Sequence, residues 1–175
     1  MSEAGVGDLP AFVTHAEVPF PVLPSGIHDA NDAQVKEAFV EAFADNERRR
    51  QVYEGWNSFR SILRSIVDVE EEYVDGSFVT GKPRPRDIDV SYWIDADELN
   101  ALAPNKQVAL SGLMQGRKAF FVDAYIVPVC PPGHQLELVF QKMQWTHEFW
   151  SNCKDSNGVV LPAGSPTKGF LRMLP

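Results

Sequence analysis

The sequence predicts an α/β (α+β) fold, in which a small mixed β-sheet is backed by helices. The first third of the chain has the apolar spacing of helices, and apolar strand-like segments then alternate with further helical ones. The chain has 175 residues, the size of one domain, and 44% of them are hydrophobic, which is enough to fill a core. We therefore expect an extended N-terminal arm over residues 1–30 that packs on a single domain over residues 31–175.

Two helices are predicted at the start of this domain. Asn31 and Gln34 have the spacing of a capping box, so the first helix should begin near Asn31. The apolar stripes of the two helices are Val35, Ala38, Phe39, Ala42 and Phe43, and then Val52, Trp56, Phe59, Leu63 and Ile66. Between the stripes lie Arg48, Arg49 and Arg50. We interpret this triplet as a solvated face at a helix terminus, and the alternative is contact with a polyanion.

Three strands are predicted, within residues 67–74, 88–94 and 119–129. The third is apolar on both faces, so we expect it to be central in the sheet. Residues 168–174 are expected to form a short edge strand or a tail. The intervening helices are a short one over residues 95–102 and a longer one carrying Leu136, Val139, Phe140, Met143 and Trp150, while residues 106–114 are ambiguous.

Two carboxylates lie close together at the start of the second strand. Side chains alternate faces along a strand, so Asp87, Asp89 and Ser91 would share one face. Carboxylates held that close repel each other, and a hard cation with oxygen ligands relieves the repulsion. The spacing therefore favours a divalent-metal site beside a triphosphate.

A third acid interrupts the apolar run of the third strand. A buried, unpaired carboxylate is costly, so Asp123 needs a metal, a basic side chain or a hydrogen-bond network. If the second and third strands are neighbours, Asp123 would join Asp87 and Asp89 around one or two Mg²⁺ ions. The alternatives are that Asp123 pairs structurally with an arginine such as Arg60 or Arg64, or that Asp95 is the third ligand. The alternatives for the other acids are a solvated or helix-capping pair.

The turn before these acids has the composition of a phosphate site. Gly76 lets the backbone approach a phosphate closely, and the Ser77 hydroxyl can hydrogen-bond phosphate oxygens. The alternative for Ser77 is an ordinary turn residue.

The charge balance and cysteine usage limit the function classes. The net charge is −8, which disfavours a broad nucleic-acid surface because phosphate contacts need basic side chains. Cys130 and Cys153 lack metal-ligand spacing and are expected to be reduced thiols, although a disulfide between them stays open. No signal peptide or membrane span is predicted, so a cytoplasmic protein without a membrane partner is expected.

These residues together resemble the DNA polymerase beta-like nucleotidyltransferase superfamily. The shared pattern is Gly76-Ser77, nine residues, Asp87-x-Asp89, and Asp123 in a later strand. The minimal nucleotidyltransferases are the members nearest in size. Three further stretches resemble an uncharacterised bacterial and phage family of such proteins: Leu23-Pro24-x-Gly26-Ile27-His28, Asp75-Gly76-Ser77-Phe78-Val79-Thr80-x-Lys82-Pro83, and Lys168-Gly169.

The resemblance implies a role for each matching residue. Asp87 and Asp89 would bind Mg²⁺, Asp123 would complete the metal site and help to activate the acceptor, and Ser77 would contact phosphate. One departure is that many minimal members carry a small residue and then Arg-Gly soon after the serine. This chain has no Arg-Gly there, so Lys82, Arg84 or Arg86 would supply the positive charge, or else serve only loop solubility. We predict nucleotide binding by Gly76, Ser77 and Lys82.

The function expected from the resemblance is a magnesium-dependent transferase. It would move a nucleoside monophosphate from a nucleoside triphosphate such as ATP to a protein, an RNA 3′ end or a small molecule. Toxin–antitoxin or phage-defence systems are the implied setting. The alternatives are an antitoxin-like or regulatory module that binds a partner protein, and a nucleotide sensor without turnover.

Overall fold

The computed structural model describes residues 7–174, apart from the side chains of Trp145 and Thr146. Residues 1–6 of the predicted arm and Pro175 therefore lie outside the described residues. A five-stranded mixed sheet runs through the described part, in the order β1-β5-β2-β3-β4. The strands are β1 (Gly26–Ala30), β2 (Glu71–Asp75), β3 (Ile88–Asp95), β4 (Val122–Val129) and β5 (Gly169–Met173). The predicted α+β class with a small mixed sheet is confirmed.

In the described part of the chain, six α-helices lie in the connections between the strands. They are α1 (Asp32–Lys36), α2 (Glu47–Ile66), α3 (Ala96–Ala101), α4 (Pro104–Gly116), α5 (Glu137–Met143) and α6 (Trp145–Trp150). The capping box at the start of α1 is confirmed, since the Asn31 side chain accepts from the Gln34 amide at 2.9 Å and Gln34 accepts from the Asn31 amide at 3.0 Å. After α1 the chain continues in a π-helical turn, Glu37–Glu41.

The strand directions determine which ends meet. β3 and β4 are parallel, and β2 is antiparallel to both β3 and β5. A parallel pair needs a crossover connection, and here α3 and α4 supply it between β3 and β4. The beginnings of β3 and β4 therefore lie beside the end of β2.

Helix α2 covers one face of the sheet. Its apolar stripe is buried as predicted, with Trp56, Phe59 and Leu63 inaccessible to solvent. The Phe59 ring stacks on Tyr92 of β3 with their centroids 5.9 Å apart. These contacts make the main core of the domain.

A second, aromatic cluster covers part of the opposite face. Tyr73 and Phe170 project there and meet Trp150 of α6, and the His147 ring lies 4.4 Å from the Tyr73 ring. Trp93 packs against Phe140 of α5 at 5.8 Å on the same face. Residues at i and i+2 share a face, so the side chains of β2, β3 and β4 beyond this cluster continue the same surface.

The strand order corrects three predictions. The strand of residues 119–129 is present, but its predicted central position is wrong, because β4 is an edge strand. Helices α2 and α5 pack against it, and its residues are buried or partly buried. Residues 168–174 were wrongly placed at an edge or tail, since β5 lies inside the sheet between β1 and β2. β1 itself lies within residues 1–30, where only an extended arm was expected.

The remaining helical predictions are close to the structure. The short helix over residues 95–102 is α3, and the ambiguous residues 106–114 belong to α4. The helix expected after the third strand is split into α5 and α6 at Gln144. Within residues 7–174, none of the helices has the length and apolarity needed to cross a membrane.

Candidate metal and nucleotide site

Aspartates from three adjacent strands form a row across one end of the sheet. Asp75 pairs with Asp89 across β2 and β3, and Asp89 pairs with Asp123 across β3 and β4. Paired residues on neighbouring strands project to the same side, with their Cβ atoms roughly 5 Å apart. Asp87, just before β3, shares the face of Asp89 by the two-residue period. The structure thus brings the three predicted acids together and adds Asp75, which was predicted only as the end of a strand.

Asp89, in the middle of the row, is a largely buried carboxylate with three other acids near it. Burial raises the pKa of Asp89 to about 7, and the charges of Asp75, Asp87 and Asp123 act in the same direction. Tyr125, two residues after Asp123, also has a raised phenol pKa through burial and then through the charges of these acids. The row therefore carries negative charge that a cation would stabilise.

A buried lysine neutralises one end of the row. The Lys168 ammonium forms a hydrogen-bonded ion pair with the Asp75 carboxylate, and both side chains are buried. Burial raises the pKa of Asp75, and the Lys168 charge opposes that rise. Asp75 is thus a structural acid with its own counter-ion.

An exposed lysine and a partly exposed arginine contact the other end. The Lys118 ammonium lies 3.1 Å from Oδ2 of Asp123 and 3.7 Å from Oδ2 of Asp87. Arg117 Nε lies 3.5 Å from Oδ1 of Asp123. Both residues belong to a 3₁₀ turn, Arg117–Phe120, that leads into β4. Lys118 therefore bridges two of the three predicted metal ligands.

The alternative that Asp123 pairs with an arginine is borne out by Arg117, at 3.5 Å, but not by the two arginines suggested for it. Arg60 and Arg64 do not pair with Asp123, but lie 3.9 and 3.1 Å from the carboxylate of Glu72, on the α2 face of the sheet. Asp95 caps α3 by accepting from the Glu98 amide at 2.9 Å, at the opposite end of β3. Arg60, Arg64 and Asp95 therefore lie outside the row.

The glycine–serine turn, Gly76–Val79, approaches the row so closely that its first residue has no room for a side chain. Gly76 has φ of 86°, a conformation that favours glycine, and a Cβ there would lie 2.0 Å from Oδ2 of Asp89. Ser77 is partly exposed and begins the 3₁₀ part of the turn. The turn therefore places a partly exposed serine directly after the residue that touches Asp89.

A buried arginine fixes the chain that follows this turn. The Arg49 guanidinium donates to the carbonyls of Phe39, Phe78, Thr80 and Lys82 at 2.6–2.7 Å. It is inaccessible to solvent, and burial lowers the pKa of Arg49 to about 10. The prediction of a solvated arginine face is therefore wrong for Arg49, because four carbonyls replace its hydration.

The preceding arginine fastens the loop that leads to β3. Arg48 donates to the carbonyls of Pro85, at 3.1 Å, and Arg86, and its guanidinium lies 4.2 Å from the centroid of the Phe121 ring. Phe121 has φ of 59°, and its carbonyl accepts from the Ile88 amide at 3.0 Å. The N-terminal turn of α2 thus holds the segments that enter both acid-bearing strands.

The predicted basic residues of the loop are placed differently from one another. Lys82 is partly exposed, and its carbonyl is fixed by Arg49. Arg84 pairs with Asp45 at 2.8 Å, and both side chains are mostly exposed. In the part of the chain that the structure describes, none of Lys82, Arg84 and Arg86 forms an ion pair with the acid row.

The acid row has the side-chain types of a cation site, but its carboxylate oxygens are not arranged around a common point. Among residues 7–174, no group of three or more His, Cys, Asp or Glu side chains is arranged to hold a metal ion. The donor types are nevertheless those of a Mg²⁺ site, and burial, followed by the charges of the neighbouring acids, raises the pKa of Asp89. The Lys118 ammonium lies between Asp87 and Asp123, where a shared cation would bind both.

Two acids of the row, Asp87 and Asp123, are partly exposed to solvent. Two depressions of 450 and 640 Å³ lie beside the last turns of α2, and none of the row's residues lines them. Asp87 and Asp123 keep 35% and 26% of their side-chain surface exposed. A ligand would therefore reach these acids directly from solvent.

Comparison with known families places the chain in one of them. The model of a family of unknown function, DUF6932, matches residues 17–173. The chain belongs to DUF6932. The matched region contains the whole acid row, the glycine–serine turn and the basic residues that contact them. No curated protein and no solved structure matches the chain significantly.

No role in the site was predicted from the sequence for Asp75, Arg117 or Lys118 of this DUF6932 chain, and the pairing of Lys168 with Asp75 was not predicted either. Asp75 precedes Gly76 directly, and a polar residue at the buried end of a strand was the available indication. The lysine contacts depend on strand order and on the turn before β4, so no sequence spacing indicates them.

Proposed function

We propose that this chain is a Mg²⁺-dependent nucleotidyltransferase. It would transfer a nucleoside monophosphate from a triphosphate such as ATP to a protein, an RNA 3′ end or a small molecule. The acceptor oxygen attacks the α-phosphorus, the bond from that phosphorus to the bridging oxygen of the β-phosphate breaks, and pyrophosphate leaves. The supporting observation is the row of Asp89 and Asp123 on adjacent parallel strands, with Asp87 beside them and Gly76 against Asp89.

The three acids would divide the work. Asp87 and Asp89 would hold the metal, and Asp123 would complete the site and take the proton of the acceptor hydroxyl as the new bond forms. When bound, one or two Mg²⁺ ions would screen the negative charge of the triphosphate. Asp123 suits its role because it is partly exposed and thus within reach of an acceptor from solvent.

The glycine–serine turn would seat the phosphates. Gly76 brings the turn directly against Asp89, and the partly exposed Ser77 hydroxyl is a hydrogen-bond donor for a phosphate oxygen. Lys82 would add positive charge from a backbone position that Arg49 fixes. The resemblance to the DNA polymerase beta-like superfamily supports the same roles.

Label transfer tests this function. The protein is incubated with Mg²⁺, each α-³²P-labelled nucleoside triphosphate, and cell lysate as a source of acceptors. The proposal is supported if the wild type transfers label and Asp89→Asn transfers at least about 10²-fold less. Asp97→Asn is the matched control, because Asp97 is 84% exposed on α3, beyond the opposite end of β3. Equal transfer by all three proteins, or none by the wild type, contradicts the proposal.

A second candidate is a nucleotide sensor or partner-binding module without turnover. The observation that favours it is the pairing of Asp87 and Asp123 with Lys118 and Arg117, which already compensates part of their charge. Such a module would bind a triphosphate or a toxin–antitoxin partner protein without releasing pyrophosphate. Tight binding that survives Asp89→Asn, together with no label transfer, identifies this second role.

We place the proposed activity in the cytoplasm. Cys130 and Cys153 are both free thiols, and Cys153 is buried. Unpaired cysteines are typical of a reducing compartment. A toxin–antitoxin or phage-defence setting remains the biological proposal that the resemblance carries.

A further inference from the structure

We propose that Lys118 is a displaceable internal cation, which occupies the divalent-ion position between Asp87 and Asp123 and moves to the triphosphate when the ion binds. The proposal rests on the metal role of these acids in the proposed function. It assigns to Lys118 both the regulation of metal binding and a contact with the phosphates.

The first step of the argument is that the ammonium and a divalent ion exclude each other. Lys118 Nζ lies 3.1 Å from Oδ2 of Asp123 and 3.7 Å from Oδ2 of Asp87. A Mg²⁺ ion bound to the same two oxygens would lie roughly 2.1 Å from each of them. Two cations that close together repel strongly, so the acids hold one or the other.

The second step is that Lys118 is free to leave. Its side chain is 56% exposed, whereas those of its acid contacts are 26% and 35% exposed. Exposed ion pairs contribute little to stability, so releasing this one costs the fold little. Arg117 stays behind, since its guanidinium donates to the Met114 carbonyl at 2.7 Å and continues to face Asp123.

The third step concerns where the ammonium goes. Lys118 lies on the short turn directly before β4, so its backbone stays next to the acid row. A lysine is a flexible, compact charge with three donors, and a triphosphate bound at the row brings the largest nearby negative charge. Lys82 is the other lysine assigned to the phosphates, and in the part of the chain described it makes no contact with the row. Lys118 therefore supplies positive charge to the phosphates from the β4 side.

A Mn²⁺ titration tests the exclusion without relying on activity. Free Mn²⁺ is measured by electron paramagnetic resonance with no nucleotide present, for wild type, Lys118→Gln, Lys106→Gln and Asp89→Asn. Lys106→Gln is the control, because it removes the same charge from an exposed position on α4. We expect Lys118→Gln to bind Mn²⁺ at least about fivefold more tightly than the wild type, and Lys106→Gln to bind as the wild type does.

The second arm measures nucleotide binding at saturating Mn²⁺. We expect Lys118→Gln to bind a non-hydrolysable ATP analogue at least about fivefold more weakly than the wild type. Thermal unfolding of each variant confirms that it is folded. Unchanged or weaker Mn²⁺ binding by Lys118→Gln overturns the proposal.

The controls separate this proposal from the proposed function. If the wild type binds Mn²⁺, Asp89→Asn does not, and Lys118→Gln matches the wild type, only the Lys118 assignment fails. If neither the wild type nor Lys118→Gln binds Mn²⁺, the metal-dependent function fails as well. If Lys118→Gln alone binds Mn²⁺, the lysine blocks the site as proposed.

Discussion

Replacing Gly76 with alanine should misplace Asp89 while leaving the rest of the fold in place. The added Cβ would lie 2.0 Å from Oδ2 of Asp89 and 3.2 Å from its backbone nitrogen, so the carboxylate must rotate away. Gly76 also has φ of 86° and ψ of −169°, a region that is essentially restricted to glycine and costs another residue on the order of 1–3 kcal/mol. With the displaced carboxylate, we expect the free energy of unfolding to fall by about 1–3 kcal/mol.

The functional loss from Gly76→Ala should exceed the loss of stability. A misplacement of about 1 Å costs on the order of 10²-fold in rate, so we expect label transfer to fall by about that factor. Urea unfolding and the transfer assay are run together on the same preparations. Gly112→Ala is the control, since Gly112 lies in α4 with no atom near the added Cβ, and should gain about 0.5–1 kcal/mol. Wild-type stability and transfer in Gly76→Ala would refute the contact between the turn and Asp89.

Three further predictions concern the structure that holds the site. Arg49→Met removes the donor from four carbonyls and should lower the free energy of urea unfolding by at least about 3 kcal/mol. The exposed control Arg84→Met should lower it by less than about 1 kcal/mol. A similar small loss in both variants would contradict the buried role of Arg49. Lys168→Met leaves the buried Asp75 charge unpaired and should lower the free energy of unfolding by about 3–5 kcal/mol. The double variant Lys168→Met with Asp75→Asn should therefore be more stable than Lys168→Met alone. Additive losses in this double-mutant cycle would argue against the ion pair. Burial lowers the pKa of His147 below its unfolded value of about 6.5, so the unfolded state binds the extra proton and stability should decline as pH falls through that value. The stability difference between wild type and His147→Phe, measured by urea unfolding at pH 8 and pH 5, should therefore shift against the wild type at pH 5, and a constant difference would contradict it.

The acid positions were predictable because they depend on local periodicity. The two-residue period of a strand places Asp87 and Asp89 on one face from sequence alone. Asp123 joined them on a single further assumption, that its strand neighbours theirs, and the register bears that out. The metal and nucleotide roles of these residues stay predictions.

The basic contacts were not predictable because they join distant parts of the chain. Asp75 and Lys168 are 93 positions apart, and they meet only because β5 inserts next to β2 inside the sheet. The apolar pattern of β4 indicated burial, but covering helices can bury an edge strand as fully as neighbouring strands do. Arg49 is charged in sequence, and only the convergence of four carbonyls explains its burial.

The most direct test of the account is a crystal structure of the protein with Mn²⁺ and a non-hydrolysable ATP analogue, with anomalous diffraction used to locate the metal. We expect an anomalous peak in contact with carboxylate oxygens of Asp87, Asp89 and Asp123, and the Lys118 ammonium on a phosphate oxygen. A peak elsewhere, or bound nucleotide with Lys118 still bridging Asp87 and Asp123, would contradict the account.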